Sequence, residues 1–255
     1  MIHIHKKKYE YFEEINEGIL KFIPFNNTQD TISVLDVGCG SGALSEAIKK
    51  KGYVVWGIEE NEDAAKKTAQ RINKIIHADL TNYEFIKKEI DNNLFDYLIF
   101  SDVLEHLYDP FSIVQEYLKL LKMGGYILIS VPNGVVWTNR LSFLFGRFEY
   151  SDTGVMDRTH IRYFTFKTAI RLLVTAGCSI VKTDYTPYFI RAALPIIKKM
   201  YKKGQSKGAV ERSLIIDSPL YSLYMQYVYP LEYICGYLFK PLFAFRIIIM
   251  GRKEA

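Results

Sequence analysis

Three glycines, Gly38, Gly40 and Gly42, alternate directly behind the apolar run Val34–Val37. Glycine at every second position lets a backbone turn sharply and close on a ligand where any Cβ would collide. The amphipathic run Ala43–Ile48 follows, so the segment reads as the first crossover of a nucleotide-binding α/β domain. Gly38, Gly40 and Ala43, with Glu59 about 20 residues on, also satisfy the relaxed dinucleotide fingerprint, which on these residues alone leaves an NAD-dependent oxidoreductase open. Asp36 inside the strand, the additional Gly42, and Asp79 and Asp102 behind later strands shift the balance. Carboxylates gathered at one edge repel a pyrophosphate and suit a ligand that is cationic or rich in hydrogen-bond donors.

Two histidines are placed to take a proton from a reacting hydroxyl. His106 closes Asp102-Val103-Leu104-Glu105-His106, and His160 lies in Met156-Asp157-Arg158-Thr159-His160-Ile161-Arg162-Tyr163-Phe164. Both follow strands, on the side where open α/β sheets bind ligands. His3 and His5 sit in a terminal tail and His77 ends a strand, so they are set aside. Arg140, Arg147, Arg158 and Arg162 surround His160 in a segment, 137–150 and onward, that lacks clear periodicity. Arginine suits bidentate capture of carboxylate or phosphate, which makes an anionic substrate one expectation and pairing with Asp152 and Asp157 the other.

Alternating elements must hold these residues. Strands are expected at Ser33–Val37, Val54–Ile58, Ile75–His77, Tyr97–Phe100, Tyr126–Val131, Ser179–Tyr185 and Phe243–Met250. Helices are expected over 8–23, 43–51, 62–72, 83–90, 110–121 and 165–176. Such alternation predicts an α/β fold built on a doubly wound, seven-stranded, mainly parallel sheet with right-handed crossovers. More than fifty residues separate the last two strands, too many for a structureless loop. The expected organisation is a core over 1–187, a helical, basic and tyrosine-rich insertion over 188–240 acting as lid or membrane contact, and a final core strand over 241–255.

A chain of 255 residues with 49% hydrophobic and 24% charged residues is globular rather than disordered. Cys39, Cys178 and Cys235 are odd in number and widely spaced, which suggests neither a disulfide framework nor a zinc site. No apolar leader is visible at the N-terminus, and a cytoplasmic location is expected, with peripheral membrane contact or a packed lid both open for the insertion. The net charge of +5 hides an asymmetry: residues 1–185 carry 22 basic and 24 acidic groups, whereas 186–255 carry 11 and 4. Lysines 198, 199, 202, 203 and 207 precede the tyrosine-rich run Pro219–Phe239, a pairing found where helices lie on a bilayer surface. A non-catalytic nucleic-acid-binding module using this basic region ranks lower, because no aromatic base-stacking platform accompanies it.

Taken together, Val34-Leu35-Asp36-Val37-Gly38-Cys39-Gly40-Ser41-Gly42, Gly57-Ile58-Glu59, His77-Ala78-Asp79-Leu80, Phe95–His106 and Leu121-Lys122-Met123-Gly124-Gly125-Tyr126 resemble the class I S-adenosylmethionine-dependent methyltransferases. The branch that includes the ubiquinone-pathway O-methyltransferases is the most similar, over about Tyr9–Tyr185 and the last strand. The resemblance implies that Gly38, Cys39, Gly40 and Gly42 wrap the methionine and ribose of S-adenosylmethionine while Asp36 draws the ammonium. It implies that Glu59 accepts the ribose hydroxyls, Asp79 accepts from the adenine amine with Leu80 against the ring, and Ser101, Asp102 and Val103 border the sulfonium. Methylation of a hydroxyl follows, on a small-molecule, glycan or lipid-linked acceptor, with His106 and His160 as the catalytic bases. The segment Asp102–His106 also resembles the metal-ligating stretch of small-RNA 2′-O-methyltransferases. There the first acid is Glu, one methylene longer than Asp102, so a divalent metal is not favoured.

Overall fold

Short runs of Val, Ile and Leu buried on both faces make central strands, and the chain repeats such runs between amphipathic helices. The computed structural model of the protein describes residues 15–187 and 223–254. Its sheet comprises β1 (Ser33–Val37), β2 (Val54–Glu59), β3 (Lys74–His77), β4 (Phe95–Ser101), β5 (Leu121–Pro132), β6 (Cys178–Pro187) and β7 (Ala244–Lys253), in the order β3-β2-β1-β4-β5-β7-β6. All seven expected strands are present, and β1–β2, β1–β4, β2–β3 and β4–β5 pair in parallel. The exception is β7. The Asn133 N–H at the end of β5 donates to Phe245 near the start of β7, while Arg252 near its end reaches the Gly124 carbonyl near the start of β5. The last strand of the chain therefore runs against its neighbour β5.

The helices are α1 (Glu17–Leu20), α2 (Ala43–Lys50), α3 (Glu62–Ala69), α4 (Tyr83–Ile90), α5 (Pro110–Leu118), α6 (Trp137–Leu144), α7 (Phe166–Thr175), α8 (Tyr229–Leu238) and the single turn α9 (Lys240–Phe243). Their starts are chemically marked. Asn61 and Asp109 accept from the third residue beyond them, and Pro110 opens α5 where its missing N–H costs nothing. Helix α5 stops at Leu118 rather than 121 because Leu121 already pairs with Phe95 in the sheet. Gly124, at φ +73, lies within β5 beside a register shift between Phe95 and Tyr97. Trp137–Leu144 is helical although its periodicity is indistinct, since only Asn139 of that turn set is buried. Of the helix expected over 8–23, the described residues, which begin at 15, hold only the turn Glu17–Leu20, and the lysine-rich stretch 198–207 lies outside the described residues.

The chain forms two compact units: Met1–Val131 with Ala169–Thr183 and Ile248–Ala255, and Pro132–Thr168 with Asp184–Ile247. In the first, Ile19, Ile23, Val34, Ile48, Val55, Ile99, Leu128 and Ile248 share one core with no exposure. Burial of each such side chain contributes about 1.5–3 kcal/mol. In the second, Asn133 holds the chain's return together by donating from Nδ2 to the Pro241 and Ala244 carbonyls, both at 2.9 Å.

Candidate active site

Sheet order reverses between β1 and β4, and the carboxyl ends of β1, β2, β3 and β4 all belong to the first unit. Ligands of open α/β sheets bind at that switch point. Behind β1 the backbone makes its turn with Gly38 at φ +72, Gly40 at φ +54 and Gly42 at φ +80, conformations that L side chains resist. The Gly38 and Cys39 N–H groups both donate to the Ile58 carbonyl, at 2.8 and 3.0 Å, which pins the turn to β2. A Cβ on Gly38 would come within 2.7 Å of Val103 and 3.7 Å of Leu80. On Gly42 it would strike Thr68, whose hydroxyl donates to the Gly40 carbonyl at 2.8 Å. Cys39 packs against β2 at Gly57, where a Cβ would lie 2.7 Å from its Sγ, and burial pushes its thiol well above the usual range. It is a packing residue, not a nucleophile.

Glu59 ends β2 only 4% exposed, and its two oxygens take the Gly40 N–H and the Asn61 N–H, each at 2.8 Å. A carboxylate offers about four lone-pair sites, so these two bonds orient the group without saturating it. Asp36 is 1% exposed. Its Oδ2 accepts from Ser45 at 2.5 Å, while its buried Oδ1 has no partner. Burial pushes its carboxyl up to about 6, further raised by Glu59 and partly offset by the Ser45 hydroxyl. An orphaned buried acceptor beside a cradle that a Cβ would fill is what a ligand carrying an ammonium group completes. Asp79, two residues past β3, is exposed and braced by the Thr81 N–H and hydroxyl, both 2.7 Å from Oδ1. The carbonyl of the adjacent Leu80 is held by Tyr117 at 3.0 Å.

The end of β4 is the most constrained corner. Asp102 sits at φ +56, a conformation uncommon for residues other than glycine. Ser130 holds it: the Asp102 N–H donates to the Ser130 carbonyl and hydroxyl, and that hydroxyl donates to Asp102 Oδ1 at 3.1 Å. Asn16, 5% exposed, in turn donates to Ser101 Oγ at 3.0 Å and Ser130 Oγ at 2.8 Å, while its own carbonyl oxygen caps α1. Sequence reasoning singled out Ser101, Asp102 and Val103 but missed Asn16, Ser45 and Ser130. A polar residue on a buried helix face, as Ser45 is on α2, was the available signal for one of them; the Asn16 cap before Glu17 was the signal for another.

His106 closes a 3-10 turn, Leu104–His106, that follows this corner in the first unit. His160 belongs to the second unit, where its Nδ1 lies 3.0 Å from the Val155 carbonyl. A carbonyl can only accept, so the neutral ring carries its proton on Nδ1 and its lone pair on Nε2. Arg158 lies 3.7 Å from Asp152, both well exposed, and Arg140 donates to the Val135 carbonyl at 2.6 Å. Part of the arginine set is thus spent on local structure.

The fold is that of the class I S-adenosylmethionine-dependent methyltransferases, and acids stand at or near the carboxyl ends of β1, β2, β3 and β4. A family model described as a methyltransferase domain matches residues 6–183, and the chain belongs to that family. Among curated proteins it is similar to the ubiquinone biosynthesis O-methyltransferase of Coxiella burnetii, 36% identical over 122 residues, covering 47% of this chain and 51% of that one. The Histophilus somni enzyme of the same name is 38% identical over 106 residues, covering 39% and 44%. The chain spans about half the length of the curated relatives it matches. A solved S-adenosylmethionine-dependent methyltransferase from Archaeoglobus fulgidus shares the fold with a TM-score of 0.58 at 20% identity, covering 93% of this chain and 92% of that one. Magnesium protoporphyrin IX methyltransferase from Synechocystis, solved with S-adenosylhomocysteine, does so with 0.56 at 14%, covering 93% and 81%.

Proposed function

We propose that the protein methylates a hydroxyl oxygen on a small-molecule, glycan or lipid-linked acceptor. The unpartnered, buried Oδ1 of Asp36 supports the cofactor part of this reading, because an amino-acid ammonium beside the glycine turn would complete it. Asp36 receives that ammonium, with Gly38, Cys39, Gly40 and Gly42 wrapped along the methionine and ribose. Glu59, already oriented by two backbone donors, accepts the ribose hydroxyls. Asp79 accepts from the adenine amine, Leu80 packs on the ring, and Ser101, Asp102 and Val103 border the sulfur. The curated relatives named as O-methyltransferases support oxygen as the accepting atom.

When bound, S-adenosylmethionine supplies a methyl group activated by its sulfonium. The protein's part is then chiefly alignment, which can supply about 7–11 kcal/mol. A hydroxyl that accepts the methyl group must give up its proton. His160 takes it on Nε2, the nitrogen that bears the lone pair when Nδ1 donates to Val155. His106, next to the constrained Asp102 corner, is the second proton-accepting group. The organisation into a core over 1–187 and 241–255 with a lid or membrane-contacting insertion over 188–240 is part of the same proposal. Calorimetric titration tests it. Saturable binding of S-adenosylhomocysteine with none for NAD supports the reading, and saturable binding of NAD alone overturns it.

A further inference from the structure

Helix α8 is built inside out. Its buried face carries Glu232, 7% exposed, together with Tyr233 and Gly236. Tyr233 stacks on Tyr185 with centroids 5.0 Å apart and donates to Asp184 at 2.5 Å. Gly236 lies where a Cβ would fall 2.8 Å from the Tyr185 hydroxyl. The opposite face shows Leu231 at 63%, Ile234 at 64% and Leu238 at 78% exposure, one stripe at helical spacing. Tyr227 precedes it and Tyr237 and Phe239 continue it, all exposed. A helix that turns its carboxylate inward and its aliphatic residues outward has not been arranged for water.

Charge says what lies against that face. The second unit holds 14 basic and 7 acidic residues, net +7, against 19 and 21, net −2, in the first. Between residues 223 and 247 the sole acid is the buried Glu232, and the outward side carries Lys240, whose ammonium sits 4.1 Å over the Tyr237 ring. The same unit exposes Leu144 and Phe145 between Arg140 and Arg147, and Phe148 directly after them. Leucine, isoleucine, tyrosine and phenylalanine interspersed with cations, with no exposed acid on the stripe, is the chemistry of a segment lying at the headgroup level of an anionic bilayer. No helix among the described residues is long and apolar enough to cross a membrane. We infer that the Leu231–Ile234–Leu238 face of α8 docks flat on an anionic lipid surface, with Lys240 at headgroup depth. The inference rests on the lipid-linked reading of the acceptor, since such an acceptor is met at that surface.

Vesicle sedimentation of the full chain, with phosphatidylcholine alone and with phosphatidylcholine mixed with phosphatidylglycerol, tests it. The protein should pellet with the anionic vesicles at low salt and be released as salt rises. The double substitution Leu231→Glu, Ile234→Glu should lower the partition coefficient by about a hundredfold, since each aliphatic side chain withdrawn from lipid accounts for roughly a tenfold change. Melting temperature and S-adenosylhomocysteine affinity should stay unchanged in that variant, because both positions are solvent-facing and lie outside the cofactor unit. Wild-type protein left in the supernatant overturns the inference, as does equal pelleting of the double variant. A concentration-dependent dimer that the double variant abolishes also overturns it, by assigning the face to a second copy. Vesicle binding without S-adenosylhomocysteine binding refutes the methyltransferase reading alone.

Discussion

Asp36 links cofactor binding to pH. Its carboxyl is pushed up to about 6 by burial, whereas the unfolded chain presents an ordinary carboxyl near 3.8. The sign follows from proton count: the folded protein holds this proton more tightly than the unfolded chain. Stability from it is fully present below about 3.8 and is lost as pH rises through 6. At pH 8 the ligand-free fold therefore carries a penalty of (6 − 3.8) × 1.36, about 3 kcal/mol. An ammonium placed on Oδ1 holds Asp36 ionised, so binding requires deprotonation. Affinity then scales with the ionised fraction, and between pH 8 and pH 5 the dissociation constant for S-adenosylhomocysteine should rise about tenfold. Close to one proton should be released on binding at pH 5 and close to none at pH 8, measurable by calorimetry in buffers of different ionisation enthalpy. Asp36→Asn should flatten the pH profile, weaken binding at pH 8, and raise the melting temperature of the ligand-free protein at that pH. A wild-type dissociation constant that is level from pH 5 to 8, with no proton released, would show that Asp36 does not meet the ligand's ammonium.

Gly38→Val sets a branched side chain at φ +72 with its Cβ 2.7 Å from Val103, so S-adenosylhomocysteine binding should vanish from calorimetric titrations while the far-UV spectrum stays that of the folded protein. Asn16→Ala removes two donors buried at the ends of β4 and β5 and the cap of α1; urea denaturation should show a loss of about 2–4 kcal/mol. His160→Ala should slow single-turnover methyl transfer by about 10²–10⁴-fold and leave the cofactor dissociation constant within twofold. An unchanged single-turnover rate removes His160 from the reaction.

What the sequence disclosed was what local rules determine. The glycine turn was legible because positive φ at alternate positions excludes nearly every other residue. The acids were legible because strand–helix alternation places Glu59, Asp79 and Asp102 at successive carboxyl ends. The Asn16–Ser130 bond escaped because it joins residues 114 apart, and nothing local to either announces the other. Helix α6 escaped because a helix with one buried side chain leaves no periodic imprint. The inward turn of Glu232 was equally hidden, since composition over 219–239 suggested an apolar face without saying which side of the helix the protein would keep. The stacking of Tyr233 on Tyr185 and the burial of Glu232 settle that orientation.

A crystal structure with S-adenosylhomocysteine bound decides whether the carboxyl ends of β1 to β4 hold the cofactor. The amino group should lie within hydrogen-bond distance of Asp36 or one water away, the ribose hydroxyls on Glu59, the adenine amine at Asp79, and the sulfur facing Ser101–Val103. Ligand density away from the Gly38–Gly42 turn, or there with Asp36 and Glu59 both unengaged, would contradict that placement.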